Sequence, residues 1–241
     1  MIPKIIHYAW IGEKMPIYVS KRIEDWKSKM PDWEFRLWNE DNYDFHKFAF
    51  TDYNYKRKRW GYIADELRYD VINKYGGFYL DTDMIIKKDL SPLLNNKEVW
   101  GFMYDNNILT SFFGGEPNQP FFDRILSYYA DPINENDIKR MPSNPVITNF
   151  FIEYFGSDFI NNGSFQEPQK GFKIFPRDYF CYPSKNDNAN YTEHLFDNSW
   201  GTSQQGIKGI IKGIARKQVP ILYGNISNKR GVNYSKQFLK Q

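Results

Sequence analysis

The sequence has 241 residues, a formal net charge of +3, 19% aromatic residues and one cysteine, Cys181. This length indicates one main domain with a sizeable core, while the lone cysteine excludes an internal disulfide and a cysteine-based metal cluster and fits a reducing compartment. The apolar runs are too short for a membrane-spanning helix or a signal peptide, and the aromatic content fits either a surface that stacks on bases and sugar rings or a compositional bias of the genome.

The first sixty residues predict strands that alternate with helices. Residues 4–11 form a β-rich run closed by Gly12 and are expected to be the first strand. A helix is predicted over residues 16–29, a strand over 33–38, where side chains alternate, and short helices over 39–59. This alternation before a third strand is typical of βαβ units. We therefore expect an α/β fold with a single, mostly parallel sheet flanked by helices.

The most informative stretch is residues 62–90, where a helix, a double glycine and a strand follow one another. The apolar face of the helix, at helical spacing, consists of Ile63, Leu67, Val71 and Ile72. Gly76–Gly77 ends the helix, because glycine readily adopts the left-handed backbone of a helix C-terminus. Residues 78–80 then predict a buried strand that leads directly into Asp81 and Asp83.

Two aspartates at the end of a buried strand need a physical reason, because aspartate is depleted in strands. Asp81 and Asp83 point the same way, since side chains alternate along a strand, and their like charges repel unless a cation lies nearby. A hard divalent cation shared with substrate phosphates suits this geometry. The alternative is a solvated turn with two N-capping acids. The hydrophobic strand before the pair and the apolar residues 85–86 after it favour the metal site.

Downstream of residue 90 the patterns predict shorter elements. In chain order these are strands at 100–103 and 109–113, a turn at 114–119, a helix at 120–129, a polar loop at 131–145, a helix at 146–155, a strand at 171–176 and an irregular polar segment at 182–200. Ligands of mostly parallel sheets bind beyond the carboxyl ends of the strands. Trp10, Asp81 and Asp83 are therefore expected to share one crevice.

The charge distribution changes near the C-terminus. No acidic residue follows Asp197, whereas eight basic residues do. In that region isoleucines recur at i, i+3, i+4 and i+7, at Ile207, Ile210, Ile211 and Ile214. We therefore divide the chain into a main domain, residues 1–204, and a basic amphipathic tail, residues 205–241. The tail either lies on an anionic membrane surface or packs its isoleucines on the main domain.

These motifs together resemble the DXD-motif sugar-transferring glycosyltransferases of family 32. That family includes bacterial capsule and lipopolysaccharide transferases and yeast mannosyltransferases and, more distantly, the catalytic domains of clostridial glucosylating toxins. The resemblance is carried by residues 2–12 (IPKIIHYAWIG), 64–69 (ADELRY) and 75–83 (YGGFYLDTD), and more weakly by His194 and Ser199–Trp200. It covers roughly residues 1–200.

The resemblance implies a GT-A fold over residues 1–204 and a retaining, metal-assisted hexosyl transfer. The donor would be a nucleotide sugar, with a UDP-hexose favoured. The acceptor would be a hydroxyl of a surface glycan, such as a capsule, lipopolysaccharide or exopolysaccharide chain, or of a lipid-linked oligosaccharide. Mn²⁺ or Mg²⁺ would be the cofactor. The protein would work in the cytoplasm or peripherally on the inner face of the cell membrane, without nucleic acid as a partner.

The resemblance also implies roles for individual residues. Asp65, Arg68, Asp81 and Asp83 would form the catalytic group. The nucleotide-sugar site would comprise Ala9, Trp10, Asp65, Arg68, Tyr79, Asp81, Asn144 and Trp200, with Trp10 stacked on the donor base and Trp200 closing over the donor. The metal would be held by Asp83, with Asp81 and His194. Taken alone, Asp65 with Arg68 also fits a surface ion pair, His194 a surface histidine and Trp10 a core residue.

Two other functions compete with sugar transfer. A haloacid-dehalogenase-type phosphohydrolase also has a strand that runs into Asp-x-Asp, with Asp81 as its nucleophile. It also requires a second acidic cluster after a strand, which the sequence lacks. A non-catalytic, aromatic-rich sugar-binding module tethered by the tail is the other alternative. Such a module has no need for paired acids beside a helix-borne Asp65 and Arg68.

Overall fold

The structure is a computed structural model that describes residues 1–130, 142–197, 214, 216 and 218–240. The strands are β1 (Ile5–Ala9), β2 (Glu34–Trp38), β3 (Gly77–Leu80), β4 (Met84–Ile86), β5 (Glu98–Tyr104), β6 (Asn107–Ile108), β7 (Phe112–Gly115), β8 (Gln166–Gln169), β9 (Phe172–Phe175) and β10 (Thr192–His194). The helices are α1 (Ile17–Lys29), α2 (Ala49–Tyr55), α3 (Trp60–Tyr75), α4 (Pro120–Ala130), α5 (Ser143–Phe155), α6 (Arg177–Phe180) and α7 (Pro220–Ser235). Short 3₁₀ turns lie at Ser91–Leu93 and Gly156–Asp158.

The main sheet has the strand order β2-β1-β3-β7-β5-β9-β8, with β6 paired to β5. Strands β2, β1, β3, β5 and β9 run in one direction, while β7 and β8 run in the opposite direction. The predicted α/β architecture, a mostly parallel sheet flanked by helices, is confirmed. The prediction of one sheet omitted a second, two-stranded sheet, in which β4 pairs antiparallel with β10.

The double glycine brings strand β3 close beside β1. Gly76 and Gly77 have φ values of +65° and +103°, which favour glycine. A Cβ atom on Gly77 would lie 2.6 Å from the backbone oxygen of Ile5. His7 fixes the same junction, because its Nε2 donates to the Gly76 oxygen at 2.8 Å while its Nδ1 accepts from Trp38 Nε1 at 3.0 Å. Burial lowers the pKa of His7 to about 4, so this histidine is neutral in the fold.

Aromatic side chains fill two cores, one on each face of the main sheet. Because side chains alternate along a strand, Phe78 and Leu80 face one core and Tyr79 faces the other. Trp100 on β5 and Phe113 on β7 stack with ring centroids 4.4 Å apart. The largest fully buried side chains among the described residues are all tryptophan, tyrosine or phenylalanine. Much of the high aromatic content therefore serves packing rather than a ligand-stacking surface.

Predictions for the second half of the chain were wrong in three places. The supposedly irregular segment 182–200 contains β10, a three-residue strand too short and polar to show a pattern. The predicted turn at 114–119 begins inside β7, where the absence of a side chain on Gly114 leaves room for the ring of Phe78. The polar strand β8 was not predicted, for the same reason as β10.

The C-terminal helix α7 packs against the main sheet. Asn228 Nδ2 donates to Asp105 Oδ2 at 2.6 Å, and Asn107 Nδ2 donates to Ser235 Oγ at 3.1 Å. The predicted amphipathic helix over residues 207–214 lies outside the described residues apart from Ile214, and the domain boundary after residue 204 stays a prediction. Among the described helices, none has both the length and the apolar character required to cross a bilayer.

Candidate active site and metal centre

Asp81 and Asp83 lie in the tight turn that joins β3 to β4. The Asp81 amide donates to the Ser111 oxygen at 3.0 Å, which fixes the end of β3 against β7. The amide of Met84 then donates back to the Asp81 oxygen at 3.0 Å and closes the turn. Both carboxylates are partly exposed at the carboxyl edge of the sheet, the position expected from the sequence.

His194 reaches the two aspartates through the pairing of β10 with β4, in which it lies opposite Met84. Its Nε2 atom lies 3.1 Å from Asp83 Oδ1. The amides of Leu195 and Asp197 donate to the backbone oxygen and Oδ2 of Asp83 at 2.9 and 3.1 Å. The three predicted metal ligands therefore lie together, and the interpretation of His194 as a surface histidine is wrong.

The charges in this cluster fit a divalent cation. Burial raises the pKa of Asp81 and only part of that increase is offset by Arg68, while Asp83 raises it further. Burial acts in the same direction on Asp83, but the charge of His194 and its hydrogen bond outweigh it and lower the pKa. Burial lowers the pKa of His194, yet the charge of Asp83 overrides this effect and raises it to about 10. The positive charge of a protonated His194 thus offsets the two neighbouring carboxylates, a role that a bound cation would take over.

The donor atoms of the cluster also fit such a cation. One ligand atom each from Asp81, Asp83 and His194 lies within 4.8 Å of the other two. Two carboxylate oxygens and an imidazole nitrogen suit Mn²⁺ well and Mg²⁺ acceptably, and two or three protein ligands leave positions open for phosphate oxygens. Divalent metals are typical of the DXD-motif glycosyltransferases that the sequence resembles, and these residues are able to hold one.

Asp65 and Arg68 form a buried ion pair on α3, so the interpretation as a surface ion pair is wrong. Arg68 Nη2 lies 3.0 Å from Asp65 Oδ1 and 3.6 Å from Asp81 Oδ1. The rest of the guanidinium binds backbone, since Nε donates to the Ala64 oxygen at 2.9 Å and Nη1 to the Thr110 oxygen at 2.6 Å. Only 4% of the Arg68 side chain is exposed, so its charge acts on Asp65 and Asp81 in a dry environment.

Asn144 lies on the same side of the site, at the start of α5. Thr110 Oγ1 donates to Asn144 Oδ1 at 2.7 Å, and Asn144 Nδ2 contacts Met103 Sδ at 2.8 Å. The neighbouring Ser143 hydroxyl, 3.1 Å from Thr110 Oγ1, hydrogen-bonds to Asp65. Burial raises the pKa of Asp65 to about 6 against the opposing charge of Arg68. Ser143 and Thr110 were not predicted, because hydroxyl residues at these spacings carry no specific signal.

Arg22 is a further site residue that sequence reasoning missed. From α1, its Nη1 donates to the backbone oxygen of Thr82, the residue between the two aspartates, and its Nη2 pairs with Asp197 Oδ2 at 2.7 Å. It thus ties α1 and the segment after β10 to the β3–β4 turn that holds Asp81 and Asp83, which we call the metal turn. One arginine in an amphipathic helix gave no indication of this role.

The remaining predicted residues lie at or near the same sheet edge. Trp10 follows the end of β1, the parallel neighbour of β3, and its indole donates to the Glu13 oxygen at 2.6 Å. Ala9 and Tyr79 are buried, and the guanidinium of Arg68 lies 5.0 Å from the Tyr79 ring centroid. Trp200 lies outside the described residues. The roles of these residues toward a donor stay predictions.

Comparison with known proteins agrees with this geometry. Residues 16–100 match the family model "Glycosyltransferase sugar-binding region containing DXD motif". Inositol phosphoceramide mannosyltransferase 1 of Schizosaccharomyces pombe is 29% identical over 143 residues, which cover 52% of this chain and 42% of that protein. Inositol phosphoceramide mannosyltransferase 2 of the same organism is 26% identical over 231 residues, covering 86% and 60%. The chain spans about half the length of these two curated relatives.

A solved structure with a similar fold is the PaToxG glycosyltransferase, with a TM-score of 0.46 and 19% identity over 63% of this chain and 69% of that one. The sequence match over residues 16–100 includes both the Asp65–Arg68 pair and the two aspartates of the metal turn. Residues 16–100 are therefore similar to the sugar-binding region of glycosyltransferases that contains the DXD motif.

Proposed function

We propose that the protein is a metal-dependent hexosyltransferase that moves a sugar from a nucleotide-sugar donor to an acceptor hydroxyl. The observation that carries this proposal is the convergence of Asp81, Asp83 and His194 beside the buried Asp65–Arg68 pair. The first group suits a cation that binds a diphosphate, and the second suits the sugar of the donor. Mn²⁺ is the favoured cation, because an imidazole ligand suits it better than it suits Mg²⁺.

The bound cation would stabilise the negative charge that builds up on the departing diphosphate. Side chains of the protein hold the site in position for the departure of the diphosphate. Arg68 is buried and directs its charge at Asp65 and Asp81, so we infer that it positions these acids. Asp65, held by Arg68 and Ser143, is placed to accept hydrogen bonds from the donor sugar. Arg22 holds the turn itself through the Thr82 carbonyl.

The reaction proposed is a front-face substitution with retention at the anomeric carbon. The acceptor oxygen forms a bond to that carbon while the bond from the carbon to the diphosphate oxygen breaks. The electron pair leaves with the diphosphate, and the acceptor proton passes to the same diphosphate. This route requires no enzyme nucleophile. It fits an Asp65 carboxylate that is already engaged by Arg68 Nη2 at 3.0 Å and by Ser143.

A UDP-hexose is the first donor to test, and a glycan or a lipid-linked oligosaccharide is the proposed acceptor class, in the setting of surface-polysaccharide synthesis. The names of both relatives describe mannosyl transfer to inositol phosphoceramide. Mannosyl donors and glycolipid acceptors therefore belong in the same screen.

The basic C-terminal region is proposed to hold the protein at an anionic membrane surface, on the cytoplasmic side. On the outer face of α7, Leu222 and Ile226 are 56% and 46% exposed, and Lys229 and Arg230 lie exposed beside them. This combination favours anionic lipid interfaces. Co-sedimentation with vesicles of phosphatidylglycerol and phosphatidylcholine should fall at high salt and in Leu222→Ser/Ile226→Ser. Vesicle binding that is unchanged at high salt and in the double variant would refute this placement at the membrane.

A donor screen tests the transferase. The purified chain is incubated with UDP- and GDP-hexoses, with and without Mn²⁺, and nucleotide diphosphate release is measured. We expect release from at least one donor to require Mn²⁺ and to disappear in Asp83→Ala but not in Asp187→Ala, which changes an exposed acid outside the group of candidate metal ligands. Full metal-dependent turnover in Asp83→Ala would refute the site. Phosphate release from phosphomonoesters that requires Asp81 would instead identify the dehalogenase-type hydrolase.

A further inference from the structure

A cavity of about 420 Å³ lies at the carboxyl edge of the main sheet. It lies outside the group of candidate metal ligands, Asp81, Asp83 and His194, which we call the metal cluster. It is bounded by the residues that follow β5 and β9 on one side and by α7 on the other. Its polar wall includes Asp105, Arg177, Asp178 and Asn225, and Tyr182 and Ile221 supply apolar surface. Because β3, β5 and β9 run in the same direction, this cavity and the metal turn lie at one edge of the sheet, where ligands of such sheets bind.

The polar wall is held in place before any ligand arrives. Arg177 Nε donates to Asp105 Oδ1 at 3.0 Å, and Nη2 donates to Asn225 Oδ1 at 2.9 Å. Asn228 Nδ2 donates to the second oxygen of Asp105 at 2.6 Å. The Ser184 hydroxyl donates to Oδ2 of Asp178, the residue after Arg177, at 2.7 Å. A rigid arrangement of donors and acceptors lowers the entropic cost of binding a ligand.

The charge of the cavity favours an uncharged ligand. Arg177 and Lys185 are balanced by Asp105 and Asp178 among its lining residues. A phosphate would meet two carboxylates there, whereas the hydroxyls of a ring polyol are able to donate to carboxylates and accept from guanidinium and amide groups. The ring of Tyr182 and the side chain of Ile221 provide apolar contact for the C–H face of such a ring.

The cavity is close to the metal cluster through two ring contacts. The Tyr182 and Phe196 ring centroids are 5.6 Å apart, and those of Phe196 and His194 are 4.1 Å apart. Phe196 has a φ of +54°, which is unfavourable for a residue with a side chain and persists only where surrounding contacts hold it. One aromatic ring therefore separates the cavity wall from a metal ligand.

We propose that this cavity binds the acceptor, by seating a hexose or cyclitol ring so that one of its hydroxyls reaches the donor sugar at the metal cluster. The assignment of this ring to the acceptor rests on the proposed sugar transfer. Helix α7 then has a role in substrate binding, since Ile221 and Asn225 on one of its faces form part of the cavity.

Binding is tested without turnover, so that its failure is separate from failure of the transferase. Saturation-transfer NMR is recorded on the full chain, without donor or metal, with methyl α-D-mannopyranoside, methyl α-D-glucopyranoside and myo-inositol as probes. We expect saturation transfer to at least one probe. Asn225→Leu, which removes an amide from the wall, should weaken its affinity roughly tenfold. Asn233→Leu, an exposed asparagine farther along α7 and outside the cavity, is the matched control and should not change it.

A second variant covers the case in which Asn225→Leu perturbs the fold. Ile221→Trp fills the cavity from a partly exposed position and should abolish saturation transfer while the thermal midpoint stays close to that of Asn233→Leu. The proposal is overturned if none of the probes binds, if binding survives in both cavity variants, or if inorganic phosphate displaces the probes at lower concentration than the polyols themselves. Binding without any sugar transfer would leave this site intact and refute only its use as an acceptor site.

Discussion

The Nε2 atom of His194 lies 3.1 Å from Oδ1 of Asp83, although 111 residues separate them in sequence. This contact joins the β3–β4 turn to a strand formed near the end of the described chain. We expect His194→Ala to weaken Mn²⁺ binding by at least about 10-fold, because losing a residue that only supports a metal ligand already costs about 10- to 100-fold. Isothermal calorimetry with Mn²⁺ measures this directly.

The control for that variant is His46→Ala. His46 is largely exposed and pairs with Asp52 at 2.5 Å, far from the metal turn in sequence. It should leave Mn²⁺ affinity unchanged. Equal affinities of the His194→Ala variant and the unaltered protein would remove His194 from the proposed ligands, and Asp81 and Asp83 alone would remain.

Arg68 should be essential to folding as well as to the site. Replacing it by methionine leaves Asp65 buried beside Asp81 without the compensating cation, and breaking such a buried pair costs about 3–5 kcal/mol of unfolding free energy. Urea denaturation at pH 7 measures the loss. Arg36→Met, which breaks an exposed pair with Glu34, should cost only about 0–1 kcal/mol. Similar losses in the two variants would contradict the structural role of Arg68.

Glu98 should make stability depend on pH. Its side chain is buried on β5, where Trp100 Nε1 donates to Oε2 at 3.0 Å, and burial raises its pKa to about 8. The folded state thus binds a proton that the unfolded state, with the ordinary value near 4.5, releases. Stability contributed by this group is therefore present at low pH and is lost as pH rises from about 4.5 to 8.

The measurement compares unfolding free energies of the unaltered protein and Glu98→Gln at pH 5 and pH 8.5. Glutamine stays neutral, so the variant should lose less stability between the two pH values, by a few kcal/mol at most. Parallel pH profiles would show that Glu98 does not change its protonation on unfolding.

Gly77 should tolerate no side chain. A Cβ atom there would lie 2.6 Å from the backbone oxygen of Ile5, and its φ of +103° is unfavourable for alanine. We expect Gly77→Ala to lower the unfolding free energy by about 3 kcal/mol or more, because backbone strain and a clash add together.

The control variant Gly156→Ala separates the backbone strain from the clash. Gly156 has a φ of +54° with no atom within 4 Å of an added Cβ, so only the backbone cost of about 1 kcal/mol should appear. Equal costs would show that β3 shifts away from β1 without penalty.

Sequence patterns predicted the part of the site that is contiguous in the chain. The apolar face of α3, the glycines after it and the short strand before Asp81 all act within a few residues, so periodicity and turn chemistry are sufficient to place them. The parallel direction of β1 and β3 followed from the alternation of strands and helices and put Trp10 and Asp81 at the same edge of the sheet. That these two strands are direct neighbours is visible only in the structure.

Contacts over long sequence distances were beyond those patterns. Arg22 acts mainly on a backbone carbonyl, and Ser143 on a single buried acid, so neither needs a recognisable spacing. Strand β10 has three residues and only one fully buried side chain, too few for an alternating pattern. His194 was predicted as a metal ligand only from the family resemblance. The physical reason for its position is the antiparallel pairing of β10 with β4, which is visible only in three dimensions.

The late position of β10 also sets the order of events during protein synthesis. A nascent chain that has emerged only as far as α4 contains Asp81 and Asp83 but has no His194. Domains fold as their segments leave the ribosome, so the metal turn would form before its imidazole ligand and before the Asp197 amide that binds Asp83. Full assembly of the cation site therefore waits until residues 192–197 have been translated, and a product terminated before His194 lacks the complete ligand set.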